Sequence, residues 1–421
     1  MESFKTDILI VGAGVIGSSV AMHLSEKLGA AGSAGDNNNF GVLAVDFDLE
    51  GSLSSSELNA GGVRAIWVNA CNILSSKTSI EYFSKNAEDV GYRDCGYLWL
   101  YRGEQTAIAD KAQILQQDLG WEVQNWSTKE LTENIPFIDK TDSISKITFS
   151  PRDGLVNPNR LKNHYREKAA QNGSKFWDRI WIDSVEQNSK GFLVKARQFI
   201  NKPIDIDMKE KVLTQQAHDL KALDIEIQCS RLVNCAGAWA GQLAEHCGYQ
   251  IGSKPYRRQL CIFDAQKVDL TPYGMIVDTS GVYFHPEATN GLAGYADPSE
   301  APGYRFNYDE DAFFMEKIWP ALYERSSHFE ALKHITGWSG LYAESLDHSA
   351  IIGESPSHSR AFPGRLYEAH SYSGHGVMHS YSSVLGIAEL MLNGKYQTLD
   401  LSAFSGSRFD EGKLIEERLV I

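Results

Sequence analysis

Long hydrophobic runs and an excess of basic residues are both missing from this sequence. No apolar run approaches the roughly 20 residues that a membrane-spanning helix needs, so we expect no integral membrane segment. Acidic residues outnumber basic residues by 54 to 40, and the net charge is −14, without a basic cluster. We therefore expect neither nucleic acid nor an anionic membrane surface among the partners.

Closely spaced cysteine pairs are missing as well, and we expect no N-terminal leader. No C-x-x-C pair occurs, and the scattered spacing favours structural thiols in a reducing compartment over disulfides or a zinc site. The first predicted strand begins a few residues after Met1, which leaves no room for a signal or transit peptide. We expect a cytoplasmic protein that holds no metal. The cysteines are Cys71, Cys95, Cys229, Cys235, Cys247 and Cys261.

What the sequence does contain is a glycine fingerprint close to its start. Four consecutive apolar residues, 8–11, predict a buried parallel strand, and the apolar periodicity after Gly17 predicts a helix. Between them, Gly12, Gly14 and Gly17 follow the spacing G-x-G-x-x-G. The first glycine permits a tight turn, the second lets a pyrophosphate approach, and the third lets the helix pack on the strand. With the N–H groups of the helix N-terminus, the pattern predicts a dinucleotide site.

An acidic residue at the end of the second predicted strand would bind ribose hydroxyls. Residues 42–45 predict this strand, which ends at Asp46, and Asp48 is the nearby alternative. A turn-rich loop at residues 29–39 makes the distance from the fingerprint longer than the usual spacing of about 20 residues. Asp46 argues against a 2′-phosphate but does not separate NAD from FAD. A glycine-rich turn in some other α/β protein is the alternative to a dinucleotide site.

The organisation of the chain suggests more than one domain. Its 421 residues exceed what a single core usually supports. Strands of the dinucleotide type are predicted near both ends and in the middle, there at residues 225–229 and 231–234, with antiparallel strands between them. A helix is predicted over residues 377–392. The polar insert at residues 201–223 is expected to be solvated and peripheral.

Four segments occur together in one order, namely the fingerprint and residues 54–64, 234–239 and 372–376. In this combination the chain resembles the D-amino-acid oxidase superfamily of FAD enzymes, in the branch of sarcosine oxidase, glycine oxidase and dimethylglycine dehydrogenase. The resemblance covers nearly the whole chain. It implies an α/β fold: a discontinuous, Rossmann-like FAD-binding domain with an inserted, mainly antiparallel-sheet (α+β) substrate domain. The expected bounds are 1–92, 150–248 and 338–421 for the FAD domain, and 93–149 and 249–337 for the substrate domain.

The resemblance implies a cofactor-binding role for each matching segment. The fingerprint would hold the FAD pyrophosphate, Asp46 the adenosine ribose, and the residues before Arg64 would run towards the flavin ring. Residues 374–376 would bring backbone N–H groups to the pyrimidine edge, where the next helix stabilises the reduced ring. The implied cofactor-binding residues are Gly12, Gly14, Val15, Ile16, Gly17, Asp46, Ser55, Ser56, Ala60, Gly61, Gly62, Ala236, Gly237, Gly374, His375, Gly376 and Val377.

Three residues are predicted to be catalytic by the same resemblance: Arg64, Tyr342 and His375. The implied reaction oxidises a C–N bond of an amino acid or N-substituted amine, which binds in its neutral form and transfers a hydride to FAD. The imine product would hydrolyse in water. Alternatives stay open: Arg64 as a surface ion-pair partner, His375 as a packed core histidine, and Gly237 as a simple turn glycine.

The sequence departs from the sarcosine oxidases at several positions. Gly340 stands where those enzymes carry the cysteine of a flavin thioether, so we expect non-covalent FAD. Leu292 stands where a lysine activates dioxygen, which leaves dioxygen and a quinone or other electron carrier open as electron acceptor. Trp67 and Met378 replace basic residues that hold the sarcosine carboxylate. Sarcosine is therefore not expected to be the substrate.

Several features bear on the substrate and on other functions. Arg257 or Arg258 would hold a substrate carboxylate if the substrate is an amino acid. A non-catalytic or assembly-factor flavoprotein of the same fold is the alternative function. An NAD-dependent dehydrogenase of another family would leave residues 373–376 unexplained. Aromatic residues expected to line an amine pocket are Trp67, Tyr283, Phe284, Tyr342 and Tyr372.

Overall fold

The computed structural model describes residues 2–29, 39–200, 205–214, 220–359 and 363–421. The strands are β1 (Glu2–Val11), β2 (Asn39–Val45), β3 (Gly62–Val63), β4 (Tyr97–Tyr101), β5 (Gln124–Asn125), β6 (Lys146–Ser150), β7 (Gly154–Leu155), β8 (Lys175–Trp177), β9 (Ile180–Asn188), β10 (Gly191–Phe199), β11 (Ala222–Asn234), β12 (Ser253–Asp264), β13 (Met275–Val277), β14 (Tyr283–Glu287), β15 (Asn290–Tyr295), β16 (Lys333–Ser345), β17 (Ile351–Glu354) and β18 (Leu366–His370).

The α-helices among these residues are α1 (Val15–Leu28), α2 (Ala70–Lys85), α3 (Ala87–Val90), α4 (Gln105–Asp118), α5 (Thr128–Asn134), α6 (Pro158–Gln171), α7 (Ile206–Leu213), α8 (Ala240–His246), α9 (Trp319–Arg325), α10 (Pro356–Ser359), α11 (Gly376–His379), α12 (Ser382–Asn393) and α13 (Ser407–Asp410). Short 3-10 turns lie at Gly237–Trp239, Ser327–Ala331 and Ser402–Phe404, and a π-helical stretch lies at Asp311–Ile318. None of the helices within the described ranges is both long enough and apolar enough to cross a membrane.

The first sheet has the parallel arrangement that the fingerprint predicts. Its strand order is β17-β18-β11-β1-β2-β8, and each neighbouring pair is parallel except β17 and β18. The apolar residues 8–11 of β1 lie between β2 and β11 and are buried. A strand covered on both faces is apolar along its whole length, which explains the unbroken run. The α/β fold class is confirmed.

Strand β11 is one long strand rather than the two strands predicted at 225–229 and 231–234. Its first half pairs antiparallel with β10, which forms a hairpin with the preceding strand β9. Its second half pairs parallel with β18. From Ile225 to Asn234, β1 pairs with the other edge of β11. The sequence suggested a break at Ser230, but the continuous ladder on β1 carries the strand through that position.

The second sheet is mainly antiparallel, as expected. Its order is β16-β12-β15-β14-β13-β4-β6-β5, and only the β13–β4 pair in this path is parallel. The strands come from residues 97–150 and 253–345, and strands of the first sheet lie between these two segments in the sequence. Strand β16 runs across the expected domain boundary at residue 337, and the domain bounds stay a prediction. Phe263, Phe284 and Phe329 form the centre of this sheet's core.

Two further expectations need correction. The helix predicted over residues 377–392 is interrupted after His379 and resumes at Ser382, where the Ser382 hydroxyl donates to the Ser75 carbonyl at 2.8 Å and ties the second segment to α2. The polar insert is not peripheral in its described part, because Lys209 and Leu213 of α7 are buried.

Candidate active site

The glycine fingerprint forms the turn from β1 into α1. Gly12 has φ +95°, and a side chain there would meet the Cys235 carbonyl oxygen at 2.2 Å. A Cβ atom on Gly17 would lie 1.8 Å from the Gly12 carbonyl oxygen. Only glycine fits at these two close approaches, so β1, β11 and α1 meet directly beneath the turn.

The remaining fingerprint residues face two polar side chains of neighbouring loops. The Val15 amide donates to Ser56 Oγ at 2.9 Å, and the Ala13 amide donates to Asp46 Oδ2 at 2.6 Å. Burial raises the pKa of Asp46, while the amides of Asp48 and Ala13 oppose the rise. These bonds fix the acid at the end of β2 beside the glycine turn, where it can accept from ribose hydroxyls.

A large cavity extends from this turn, with an empty volume of about 1430 Å³ that includes solvent at its mouth. It lies at the carboxyl ends of β1, β2, β11 and β18, where ligands bind in parallel α/β sheets. The predicted site residues that line it are Gly12, Gly14, Val15, Ile16, Asp46, Ser55, Ser56, Ala236, Gly237, Tyr342, Gly374, Gly376 and Val377. Those outside its described lining are Gly17, Ala60, Gly61, Gly62, Arg64 and His375.

The loop after β18 closes the far end of the cavity in an unusual backbone conformation. Ser371 and Ser373 have φ values of 57° and 50°, and Gly374 has φ 91°. A Cβ atom on Gly374 would lie 2.6 Å from the Tyr342 ring, so the backbone approaches this tyrosine closely. Left-handed conformations at non-glycine residues cost about 1–3 kcal/mol each and concentrate at functional sites.

A small second cavity continues from the large one past Tyr342. The two share Ser55, Asn59, Leu341 and Tyr342, and the remaining lining of the smaller one includes Arg258, Tyr283 and Gly340. Burial raises the pKa of both Tyr283 and Tyr342, so both phenols stay protonated at neutral pH.

Only one of the two candidate arginines for a carboxylate faces these cavities. Arg257 donates to Glu300 at 2.9 Å and to the Asn307 carbonyl at 2.9 Å, away from both linings. Arg258 is paired with Glu344 and lines the small cavity. Its Nε atom is buried without a hydrogen-bond partner in the described part of the chain. A buried donor of this kind favours an acceptor supplied by a ligand.

Arg64 is fully buried, so the alternative of a surface ion pair is wrong. Its guanidinium donates to the Ile66 carbonyl at 2.6 Å and to the Leu419 carbonyl, and it lies 3.6 Å from the centre of the Trp67 ring. Burial lowers the pKa of Arg64. Nearby, burial raises the pKa of Asp153 to about 7. The C-terminal segment thus reaches the predicted catalytic arginine and accepts one of its hydrogen bonds through the Leu419 carbonyl.

His375 packs its imidazole into the core, while its two glycine neighbours line the cavity. The ring centre lies 4.1 Å from that of Trp67, and burial lowers the pKa of His375 well below its usual value. Its amide donates to the Tyr372 carbonyl at 2.8 Å, so this N–H is already used within the loop. The structure therefore favours the packed-histidine alternative for the side chain.

Sequence reasoning missed residues that hold the site from distant segments. Asn59 accepts from the Gly61 amide at 2.7 Å and donates to the Ser56 carbonyl at 2.8 Å, which fixes the loop under both cavities. An asparagine among serines and glycines is typical of such a turn, so this signal was available. Other lining residues not predicted for the end near Asp46 are Phe47, Trp181, Leu213, Trp239, Gln242 and His246.

The residues present fit an extended dinucleotide. The cavity has a glycine turn for a pyrophosphate, an anchored acid for a ribose and a backbone-rich loop at the opposite end. At the acid's end, His246 Nε2 is buried and lacks a partner among the described residues. A nucleotide that spans these features would bury its base at one end and present its reactive ring near Tyr342.

Fold and site thus define a dinucleotide-binding protein, and a family model shows to which family it belongs. The model of the FAD dependent oxidoreductase family matches residues 7–390, so the chain belongs to this family, and its cofactor is FAD. The resemblance drawn from the sequence is confirmed.

The individual relatives share less than a third of their residues with this chain. The chain is 28% identical over 446 residues to FAD-dependent oxidoreductase domain-containing protein 1 of Xenopus laevis, with 99% of this chain and 85% of that protein covered. Its fold is similar to L-proline dehydrogenase from P. horikoshii (TM-score 0.79, 20% identity, 98% and 100% covered). Glycine oxidase from Geobacillus kaustophilus is also similar (TM-score 0.74, 20% identity, 97% and 99% covered).

Proposed function

We propose that this protein oxidises the C–N bond of an amino acid or N-substituted amine, with non-covalent FAD as hydride acceptor. One observation carries the proposal: the FAD cavity continues past Tyr342 into a small cavity whose cationic lining residue is Arg258. When bound, FAD supplies the chemistry by accepting the hydride equivalent. The imine product then hydrolyses in water.

The protein's own contribution is to bind and orient the amine. Leu260, Leu341 and the aromatic rings of Tyr283 and Tyr342 give the small cavity an apolar wall. Desolvation by this wall disfavours a charged amine there. The neutral amine, with its lone pair free, is the form that gives up hydride. Tyr342 lines both cavities and so positions the substrate against the cofactor.

Arg258 is the proposed partner of a substrate carboxylate. It lines the small cavity, whereas Arg257 is fully engaged elsewhere. Glu344 holds the guanidinium in place and leaves the buried Nε free for another acceptor among the described residues. A carboxylate there would complete the hydrogen bonding of a half-satisfied arginine.

Non-covalent binding of FAD rests on two positions. Gly340 lacks any side chain for a thioether, and a Cβ there would already lie 3.3 Å from Leu58 Cβ. The described cavity lining contains one cysteine, Cys235, and burial raises its pKa far above the usual value. A thiol that stays protonated is a poor nucleophile.

Both the electron acceptor and the location belong to the proposal as well. The buried Leu292 offers no cation to activate dioxygen, which supports a quinone or other electron carrier over dioxygen. Reoxidation rates of reduced protein with dioxygen and with a soluble quinone separate the two.

All six cysteines are free thiols, which supports a reducing, cytoplasmic compartment.

The test is anaerobic reduction of the bound flavin. Purified FAD-loaded protein is mixed without oxygen with L-, D- and N-methyl amino acids, including L-proline, and the flavin absorbance is followed. Bleaching by at least one of them is expected. A flavin that stays oxidised with all of them, while dithionite reduces it, supports the non-catalytic alternative instead.

A further inference from the structure

Helix α7 is part of the polar insert between β10 and β11, yet it is firmly docked. The Asp205 side chain caps it by accepting from the Met208 amide at 2.8 Å. Lys209, Val212 and Leu213 are buried, whereas Lys211 is exposed on the opposite face. The helix therefore has one face that packs on the body of the protein and one that meets solvent.

A buried lysine joins this helix to the loop that follows β2. Lys209 Nζ lies 2.9 Å from Asp48 Oδ1, 3.3 Å from Glu50 Oε2 and 3.0 Å from Ser52 Oγ. The side chains of Lys209 and Asp48 are only 11% and 9% exposed. Loss of either partner would leave an uncompensated, largely desolvated charge, which is strongly unfavourable.

The last residue of the helix reaches the FAD cavity. Leu213 lines the cavity, and its backbone carbonyl accepts a hydrogen bond from Trp239 Nε1 at 2.8 Å. Leu213 and Val212 also share an apolar cluster with Phe47, which follows Asp46 at the end of β2. Through these contacts α7 ties the loop after β2 to the loop after β11, and both loops flank the cavity.

The cavity end beside α7 has the character of an adenine site. Trp181, Leu213 and Trp239 give it apolar and aromatic walls, and His246 Nε2 is a buried polar atom without a partner in the described ranges. Adenine has apolar faces and a polar edge, so it matches this lining. Asp46, the predicted ribose ligand, lies on the same side.

We propose that α7 is an element of the FAD site, which closes the adenine end of the cavity and is held there by the Lys209–Asp48 ion pair. FAD then leaves the protein only when α7 moves away, so the stability of the docked helix sets how long the cofactor stays. The inference rests on the FAD cofactor and is independent of which substrate the enzyme oxidises.

The experiment measures FAD release from holoprotein by the recovery of flavin fluorescence after dilution. Lys209→Met keeps the aliphatic stem and removes the charge, and Lys211→Met on the exposed face is the matched control. We expect about tenfold faster release from the Lys209 variant, against wild-type rates for the control. Added salt should change release little in either protein, because a pair as buried as Lys209 and Asp48 is screened only weakly.

Amide hydrogen exchange of the wild-type protein tests the proposal even if the Lys209→Met variant folds poorly. In wild-type protein, the amides of residues 206–213 should exchange more slowly with FAD bound than after FAD is removed. Equal exchange in both forms overturns the proposal. Release of FAD from a folded Lys209→Met variant at the wild-type rate overturns it equally.

Discussion

The guanidinium carbon of Arg258 lies 5.6 Å from the centre of the Tyr342 ring, in the small cavity that opens from the FAD site. On its other side, the same guanidinium is paired with Glu344. Arg258 is therefore held beside the residue that we expect to face the substrate. Its charge would set a preference for substrates that carry a carboxylate.

Replacing Arg258 should separate amino acids from simple amines. We expect Arg258→Met to raise KM for an amino acid that reduces the flavin at least about tenfold, because a charge-assisted hydrogen bond contributes roughly 1.5–3 kcal/mol. The KM for the same compound without its carboxylate should change little. Arg257→Met, which removes a neighbouring arginine outside the cavities, is the matched control. Equal KM changes for both compounds contradict the assignment.

Alanine substitutions at two of the fingerprint glycines should have different effects, one on stability and one on FAD binding. Alanine at Gly17 would place Cβ 1.8 Å from the Gly12 carbonyl oxygen, and rigid backbone cannot give way. We expect Gly17→Ala to lower the free energy of unfolding by about 1–3 kcal/mol. Alanine at Gly14 would meet only Ser56 Oγ, at 2.8 Å, inside the cavity. Gly14→Ala should therefore weaken FAD binding while the apoprotein melts as wild type does.

Acid precipitation tests how FAD is held. Because Gly340 has no thiol and the Cys235 thiol stays protonated, denaturation should release the flavin into the supernatant. The absorbance of the two fractions after centrifugation measures this. Flavin that remains in the washed pellet would show a covalent bond and refute the proposal.

Buried neutral histidines should make the fold sensitive to acid. Burial lowers the pKa of His23 and His379 to about 3 and that of His285 to about 4. Between these values and the unfolded value near 6.5, only the unfolded chain binds the protons, so stability rises with pH. Asp153, whose pKa is raised to about 7, and Asp46, whose pKa is also raised by burial, act in the opposite direction and offset part of this effect.

Each such histidine should cost about 2 kcal/mol of stability between pH 6.5 and pH 5. Urea unfolding at pH 7 and pH 5 measures the effect. His379→Gln should show a loss smaller than that of wild type by about this amount, and His328→Gln, at an exposed position, should match wild type. If the His379 variant lost as much stability as wild type, its neutral burial would not be the cause.

Local sequence patterns were sufficient for the cofactor end of the fold. The spacing of Gly12, Gly14 and Gly17 after an apolar run reports a strand, a turn and a helix that are adjacent in the chain. Asp46 could be found because it ends the next strand, although a long loop precedes it. These features depend on neighbours in sequence, which periodicity and turn chemistry describe well.

Contacts between distant segments could not be predicted in this way. Nothing near Arg64 indicates that the Leu419 carbonyl, from the C-terminal segment, would accept its hydrogen bond. Likewise, the charge of the polar insert suggested solvent exposure, whereas the charge of Lys209 is neutralised by Asp48, which lies in the distant loop after β2. The burial of a charged residue can be predicted only when the residue that pairs with its charge is known.

The most direct test of the proposed chemistry compares matched substrates in a single anaerobic turnover. The amino acid that reduces the flavin fastest is compared with the 2-hydroxy acid of the same carbon skeleton, and the carbonyl product is quantified against reduced flavin. We expect reduction by the amino acid alone, with one carbonyl group and one amine or ammonia formed per reduced flavin: an oxo acid after oxidation at Cα, formaldehyde after oxidation of an N-methyl group, or both groups in one molecule after opening of a cyclic imine. Equal reduction by the hydroxy acid, or reduced flavin without that product, would contradict oxidation of a C–N bond at this site.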